Sequence, residues 1–154
     1  MHALHRLPSP NGVRLLHPLR LHKGPHRPLP LIAWRICAGF PSPADDHLDN
    51  PLDLNDLIIA RPASTFLMRV QGRSMEGAGI HDGDLVVVDR SLQAKDGDVV
   101  VAIVNGELTL KRVCRARGRL FLMPENDAYE AIAVTREMDF DVWGVVTYAV
   151  HRVE

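Results

Sequence analysis

Ser74, in "VQGRSMEGAGIHDGDLVVVD", and Lys111, in "GELTLKRV", are the residues of this chain whose types suit nucleophilic chemistry. A serine hydroxyl is a weak nucleophile until a neighbouring base takes its proton. The string Gly72-Arg73-Ser74-Met75-Glu76 is not the G-x-S-x-G elbow of the α/β-hydrolases, and the chain lacks their alternation of strands and helices. A histidine base is conceivable. His81 and Asp82 are adjacent on a turn and so point in different directions, while His151 stands near the end of the chain. A neutral lysine amine is the other possible base, provided that burial among apolar groups lowers its pKa from about 10.4. In Leu108-Thr109-Leu110-Lys111-Arg112-Val113, strand alternation puts Lys111 on one face with Thr109 and Val113 and sends Leu108, Leu110 and Arg112 to the other. Alternation alone favours a solvated face for that lysine.

The elements that must position these residues are short and β-rich. From Thr65 onward "TFLMRVQG", "DLVVVD", "DVVVAIV", "GELTLKRV", "RLFLMP", "AIAV" and "DFDVWGVVTYAVHRV" are rich in β-branched residues and separated by Gly, Asp and Asn turns. They predict a mainly β domain, a small sandwich or partly open barrel of twisted antiparallel sheets. Asn105-Gly106 predicts a type I′ hairpin turn. Asp82-Gly83-Asp84 and Asp96-Gly97-Asp98 each precede a valine-rich strand, an echo that reads as repeated turn chemistry, since no calcium-loop pattern surrounds either copy.

Composition sets the rest of the frame. The chain has 154 residues and a net charge of −1, yet its first acidic residue is Asp45. Residues 1–44 carry six Arg or Lys side chains, about +6, which leaves twelve basic against nineteen acidic residues, about −7, in the remainder. Pro8, Pro10, Pro18, Pro25, Pro28 and Pro30 block helix interiors and central strands in the arm, which is expected to be flexible. His2, His5, His17, His22 and His26 share no rigid face, so their clustering gives no metal site; no cofactor is expected. "LIAWRICAGF" (31–40) is apolar enough to add as a strand elsewhere, and Leu57, Ile58 and Ile59 suggest a helical turn docking on the body. Cys37 and Cys114 form no disulfide framework or zinc-ligand spacing, and no apolar run is long enough for a bilayer, so a cytoplasmic protein is expected.

The pair "GRSMEGAGIHDGDLVVVD" and "VVVAIVNGELTLKRV" resembles the peptidase domain of the LexA/UmuD family of self-cleaving proteins, with 37 residues from Ser74 to Lys111. "CAGFPSPADDHLDNPLDLNDLII", "LMPENDAYEAI" and "DVWGVVTYAVHRV" are similar to the UmuD-like branch, and the resemblance covers about residues 36–152. It implies a Ser74–Lys111 dyad, an oxyanion hole from the backbone N–H groups of Arg73 and Ser74, and self-cleavage between Ala38 and Gly39. With them it implies a cleavable basic arm at 1–38, a linker and docking segment at 39–64 and a peptidase domain at 65–154. It also implies a homodimer, cleavage promoted by a RecA filament on single-stranded DNA in the SOS response, and service as accessory subunit of a UmuC-type Y-family translesion polymerase. Arg73 stands where the family often has Asp or Met.

Three other readings share parts of this pattern. A LexA-like repressor would need a DNA-binding domain, and residues 1–37 are too short and too broken by proline for a helix-turn-helix. A type I signal peptidase would need a membrane anchor. A catalytically silent accessory module would keep Ser74 and Lys111 as scaffold only.

Overall fold

Two turns with left-handed backbone fold the sheet back on itself. Asn105 and Gly106 have φ of 49° and 83°, the paired positive values of a type I′ turn, and Val104 pairs with Glu107 across them. Arg117 and Gly118, at φ of 50° and 72°, close a second tight hairpin in which Ala116 pairs with Arg119.

A computed structural model describes residues 25–32, 36, 38–40 and 48–153. Residues 1–24, with His2, His5, His17 and His22, lie outside the described residues, as do Cys37 and residues 41–47. The strands are β1 (Leu29–Ile32), β2 (Leu48–Leu52), β3 (Thr65–Arg69), β4 (Leu85–Asp89), β5 (Val99–Val104), β6 (Glu107–Ala116), β7 (Arg119–Met123), β8 (Ile132–Ala133) and β9 (Phe140–Val150). One short helix, α1 (Leu54–Ile58), follows β2. All strand pairs are antiparallel: β1 pairs with β2, and the other seven form one sheet in the order β3-β4-β9-β5-β6-β7-β8, which is not closed.

β5 shows how the sheet holds core on both faces. Val101 joins Met75, Ile80, Val86 and Val88 in one buried cluster, while Val100 and Ala102 join Val113, Leu122 and Val145 in another. Successive side chains of a strand point to opposite faces, so an unbroken valine run is what a two-sided strand requires. β9 crosses the middle of the sheet and is irregular twice, once where Val87 and Val88 pair with Tyr148 and Val146, and once where Val101 and Ala102 pair with Gly144 and Val142. A Cβ on Gly144 would lie 2.6 Å from Val88 Cγ1, so glycine is what lets β9 lie this close to β4.

The echoed Asp-Gly-Asp segments are the same turn built twice. Asp84 Oδ2 accepts the N–H of His81 and Asp98 Oδ2 that of Lys95, both at 2.8 Å. Asp82 accepts from Gly72 N and Asp96 from Arg115 N, both at 2.6 Å. Val70 N donates to Asp84 O and Val113 N to Asp98 O, again both at 2.8 Å. The two turns thus anchor strands on either side of β9.

The segment 31–40 is apolar enough to add as a strand, and its Leu31 and Ile32 do so in β1, which begins two residues earlier and includes Pro30; residues 33–35 and 37 lie outside the described residues. Proline is tolerated there because β1 belongs to a two-stranded ribbon, and the register skips between Leu29 and Leu31. Buried Asp53 fixes this ribbon: it caps α1 by accepting from Asn55 N at 2.8 Å and accepts from Arg27 N at 2.7 Å.

Candidate active site

Ser74 sits on the turn that leaves β3, and three contacts hold that turn against the segment after β7. Glu125 N donates to Ser74 O, and Gly77 N donates back to Glu125 O, both at 2.7 Å. Asn126 Nδ2 donates to Arg73 O at 2.8 Å. A Cβ on Gly77 would lie 2.6 Å from Glu125 O, so this backbone approach needs glycine. Met75, 1% exposed, pins the next residue in the core, and Glu125 is paired in turn with the Arg112 guanidinium. The role of Glu125 was missed in the sequence because nothing local connects residues 74–77 with residue 125.

Lys111 enters the same place from β6. Its Nζ lies 3.0 Å from Ser74 Oγ, 3.1 Å from Thr109 Oγ1 and 2.9 Å from Leu110 O. Alternation placed Lys111 with Thr109 and Val113 correctly, but the solvated face it favoured is covered: Lys111 is 8% exposed. Burial lowers the lysine pKa from its usual 10.5, because desolvation disfavours the ammonium form. The three neighbours fit both protonation states. An ammonium group has three N–H donors for three acceptors. A neutral amine keeps donors for Thr109 and Leu110 and turns its lone pair toward the Ser74 hydroxyl.

The backbone N–H groups of Arg73 and Ser74 donate no hydrogen bond to any group among the described residues. The Arg73 side chain turns outward, 72% exposed, and pairs with Glu76 at 2.6 Å. None of the described histidines is a hydrogen-bond partner of Ser74. His81 and His151 instead meet at Asp84, where His151 Nδ1 lies 2.7 Å from Oδ1. Asp82, the neighbour of His81 in sequence, is engaged with Gly72 N.

Ala38, Gly39 and Phe40 form an exposed bend, with Phe40 92% exposed and nothing within 4 Å of a Cβ placed on Gly39. The structure therefore unites Ser74 with Lys111 but does not bring Ala38-Gly39 to them. Among the described residues, no helix is long and apolar enough to cross a membrane.

Residues 30–147 match the family described as Peptidase S24-like. Protein ImpA of Salmonella typhimurium is 46% identical over 123 residues, which cover 80% of this chain and 83% of ImpA. Protein MucA of Escherichia coli is 42% identical over 122 residues, covering 79% of this chain and 83% of MucA. LexA repressor 2 of Pseudomonas syringae pv. tomato is 42% identical over 121 residues, but these make up 59% of that repressor.

Proposed function

We propose a function for a chain that belongs to the Peptidase S24-like family, within its UmuD-like branch: it is a serine peptidase that cuts its own N-terminal arm. The observation that carries this reading is the buried Lys111 amine 3.0 Å from Ser74 Oγ. Neutral Lys111 takes the hydroxyl proton as Ser74 Oγ attacks the carbonyl carbon of Ala38. The unengaged N–H groups of Arg73 and Ser74 receive the negative charge that develops on the carbonyl oxygen. Collapse breaks the Ala38–Gly39 bond, the protonated lysine returns its proton to the departing Gly39 amine, and Ala38 stays esterified to Ser74. Water, deprotonated by the same lysine, then releases residues 1–38 from 39–154.

The exposed bend at residues 38–40 supports a resting state in which nucleophile and base are assembled while the substrate is held away. Because the scissile bond is tethered, its delivery to Ser74 controls the reaction, and no bimolecular encounter is needed if one chain cuts itself. In the SOS response that delivery falls to the RecA filament on single-stranded DNA. The shortened chain then acts as a homodimer in a UmuC-type translesion polymerase complex. These partners follow from the UmuD-like resemblance. The division into a cleavable arm at 1–38, a linker at 39–64 and a peptidase domain at 65–154 belongs to the same proposal.

Intact mass spectrometry of the full chain at mildly alkaline pH, with and without RecA, single-stranded DNA and nucleotide, tests the reading. A fragment beginning at Gly39, absent from Ser74→Ala and Lys111→Ala, is the expected result. A chain that stays whole under every condition would instead favour a silent accessory module.

A further inference from the structure

The second copy of the Asp-Gly-Asp turn shows what the first copy does not need. Asp98 accepts the N–H of Lys95 in the same way that Asp84 accepts that of His81, and Gly97 and Gly83 adopt φ of 87° and 86°. The turn therefore forms with lysine at the position of His81 and requires no imidazole. Yet the first copy gathers two. His151, just beyond β9, reaches back 67 positions in sequence to place Nδ1 2.7 Å from Asp84 Oδ1. The His81 ring lies against it at 4.5 Å between centroids.

His81 Nδ1 is shut off from solvent and has no hydrogen-bond partner, although the outer part of the ring is open and the side chain as a whole is 44% exposed. A buried nitrogen without a partner is costly unless something else engages it. It lies 3.7 Å from Asp84 Oδ2, and one ligand atom from each of His81, Asp84 and His151 falls within 4.8 Å of the others. Ligand atoms around a tetrahedral zinc ion sit about 3.3–3.4 Å apart, given metal–ligand bonds of about 2.0–2.1 Å. The His81–Asp84 separation is near that value, and the shorter His151–Asp84 hydrogen bond opens to it when a metal replaces the shared proton. Asp84 is 5% exposed, and the His81 N–H and the His151 hydrogen bond hold its carboxylate in place.

We infer that His81, Asp84 and His151 form a divalent transition-metal site of the zinc class, with two imidazole nitrogens, one carboxylate oxygen and a fourth position open to solvent. Two nitrogens and one oxygen suit Zn2+, Co2+ and Ni2+ better than Ca2+ or Mg2+. Arg69 and Arg152 line the adjoining cleft, and Arg69 is committed to Gly83 O at 2.8 Å. The metal would clip the end of β9 to the turn that opens β4. This site is independent of whether Ser74 cuts the arm.

Zn2+ titrated into untagged full chain carrying Ser74→Ala, against a chromophoric chelator, tests the site. One equivalent is expected to bind and to raise the unfolding midpoint. His81→Lys borrows the residue of the second turn, so it should keep the fold and lose at least about tenfold in affinity, as should His151→Ala. Replacing His2, His5, His17, His22 and His26 together by Asn should leave the equivalent in place. Co2+ in place of Zn2+ should show visible bands that disappear in His151→Ala. The inference is overturned if Zn2+ does not bind, if binding survives unchanged in His81→Lys and His151→Ala, or if removing the arm histidines abolishes it.

Discussion

The pH dependence of self-cleavage is the sharpest consequence of a buried lysine acting as base. Lys111 is 8% exposed, and its desolvation holds the amine pKa below 10.5. Below the folded pKa, each unit of pH lowers the neutral fraction about tenfold, so log rate should rise with a slope of about one and level off above that pKa. Lys111→Arg places a permanently charged guanidinium at the base position and should lose about 10²–10⁴-fold at every pH, with no alkaline recovery. The same proton must appear in stability. An amine whose pKa is lower folded than unfolded leaves the unfolded chain with more bound protons between the two values, so stability rises with pH from the folded pKa up to about 10.5. Urea unfolding of Ser74→Ala across that window should show the rise, and Ser74→Ala combined with Lys111→Met should flatten it. Cleavage rates come from the mass spectrum of the full chain at fixed RecA and DNA. A flat profile, a single inflection near pH 6.5, or Lys111→Arg cleaving like the parent would refute the lysine as base.

Gly77→Ala drives a Cβ to 2.6 Å from Glu125 O, so it should cost about 1–3 kcal/mol in urea unfolding and slow cleavage at least about tenfold by shifting Ser74. Gly144→Ala meets Val88 Cγ1 at 2.6 Å and should cost a similar 1–3 kcal/mol, roughly, by separating β9 from β4. Asp89 is buried, which opposes ionisation, but hydrogen bonds from Ser91, Ser64 and Arg61 bring its pKa down to about 2. Its contribution to stability is therefore present above about pH 4 and lost as pH falls through 2, and Asp89→Asn should remove that part of the acid unfolding curve. Asp53→Ala removes the acceptor of Arg27 N and the α1 cap, and hydrogen exchange should then accelerate at residues 29–32 without change in β4 or β9.

Strands were legible wherever residue type and turn chemistry agreed. The valine runs after Asp82-Gly83-Asp84 and Asp96-Gly97-Asp98 became β4 and β5, and the segment after Asn105-Gly106 became β6. Which face of a strand is covered was not legible. Alternation grouped Lys111 with Thr109, but the cover over Lys111 comes from the Ser74 turn, and that turn is placed by Glu125. The resemblance, not periodicity, pointed to the lysine. The start of β1 was not legible because a proline-bearing edge strand depends on its partner, here β2, rather than on its own composition. The meeting of His81, Asp84 and His151 escaped spacing arguments for the same reason: β9 carries the last of them across the sheet.

The position of β9 also bears on the order in which the site is synthesised. Ser74 belongs to the half of the sheet built on β3 and β4, Lys111 to the half built on β5 through β8, and β9 is the only strand of the sheet paired with both β4 and β5. During synthesis both residues are added before Phe140–Val150, by a few seconds at about 5–20 residues per second. At that stage the growing chain carries Ser74 and Lys111 on two groups of strands that the Glu125 and Asn126 contacts can join but that still lack the strand paired with both. On the proposed reading, a chain ended at residue 139 is expected to cut its arm more slowly than the full chain, as intact mass spectrometry of the two would show.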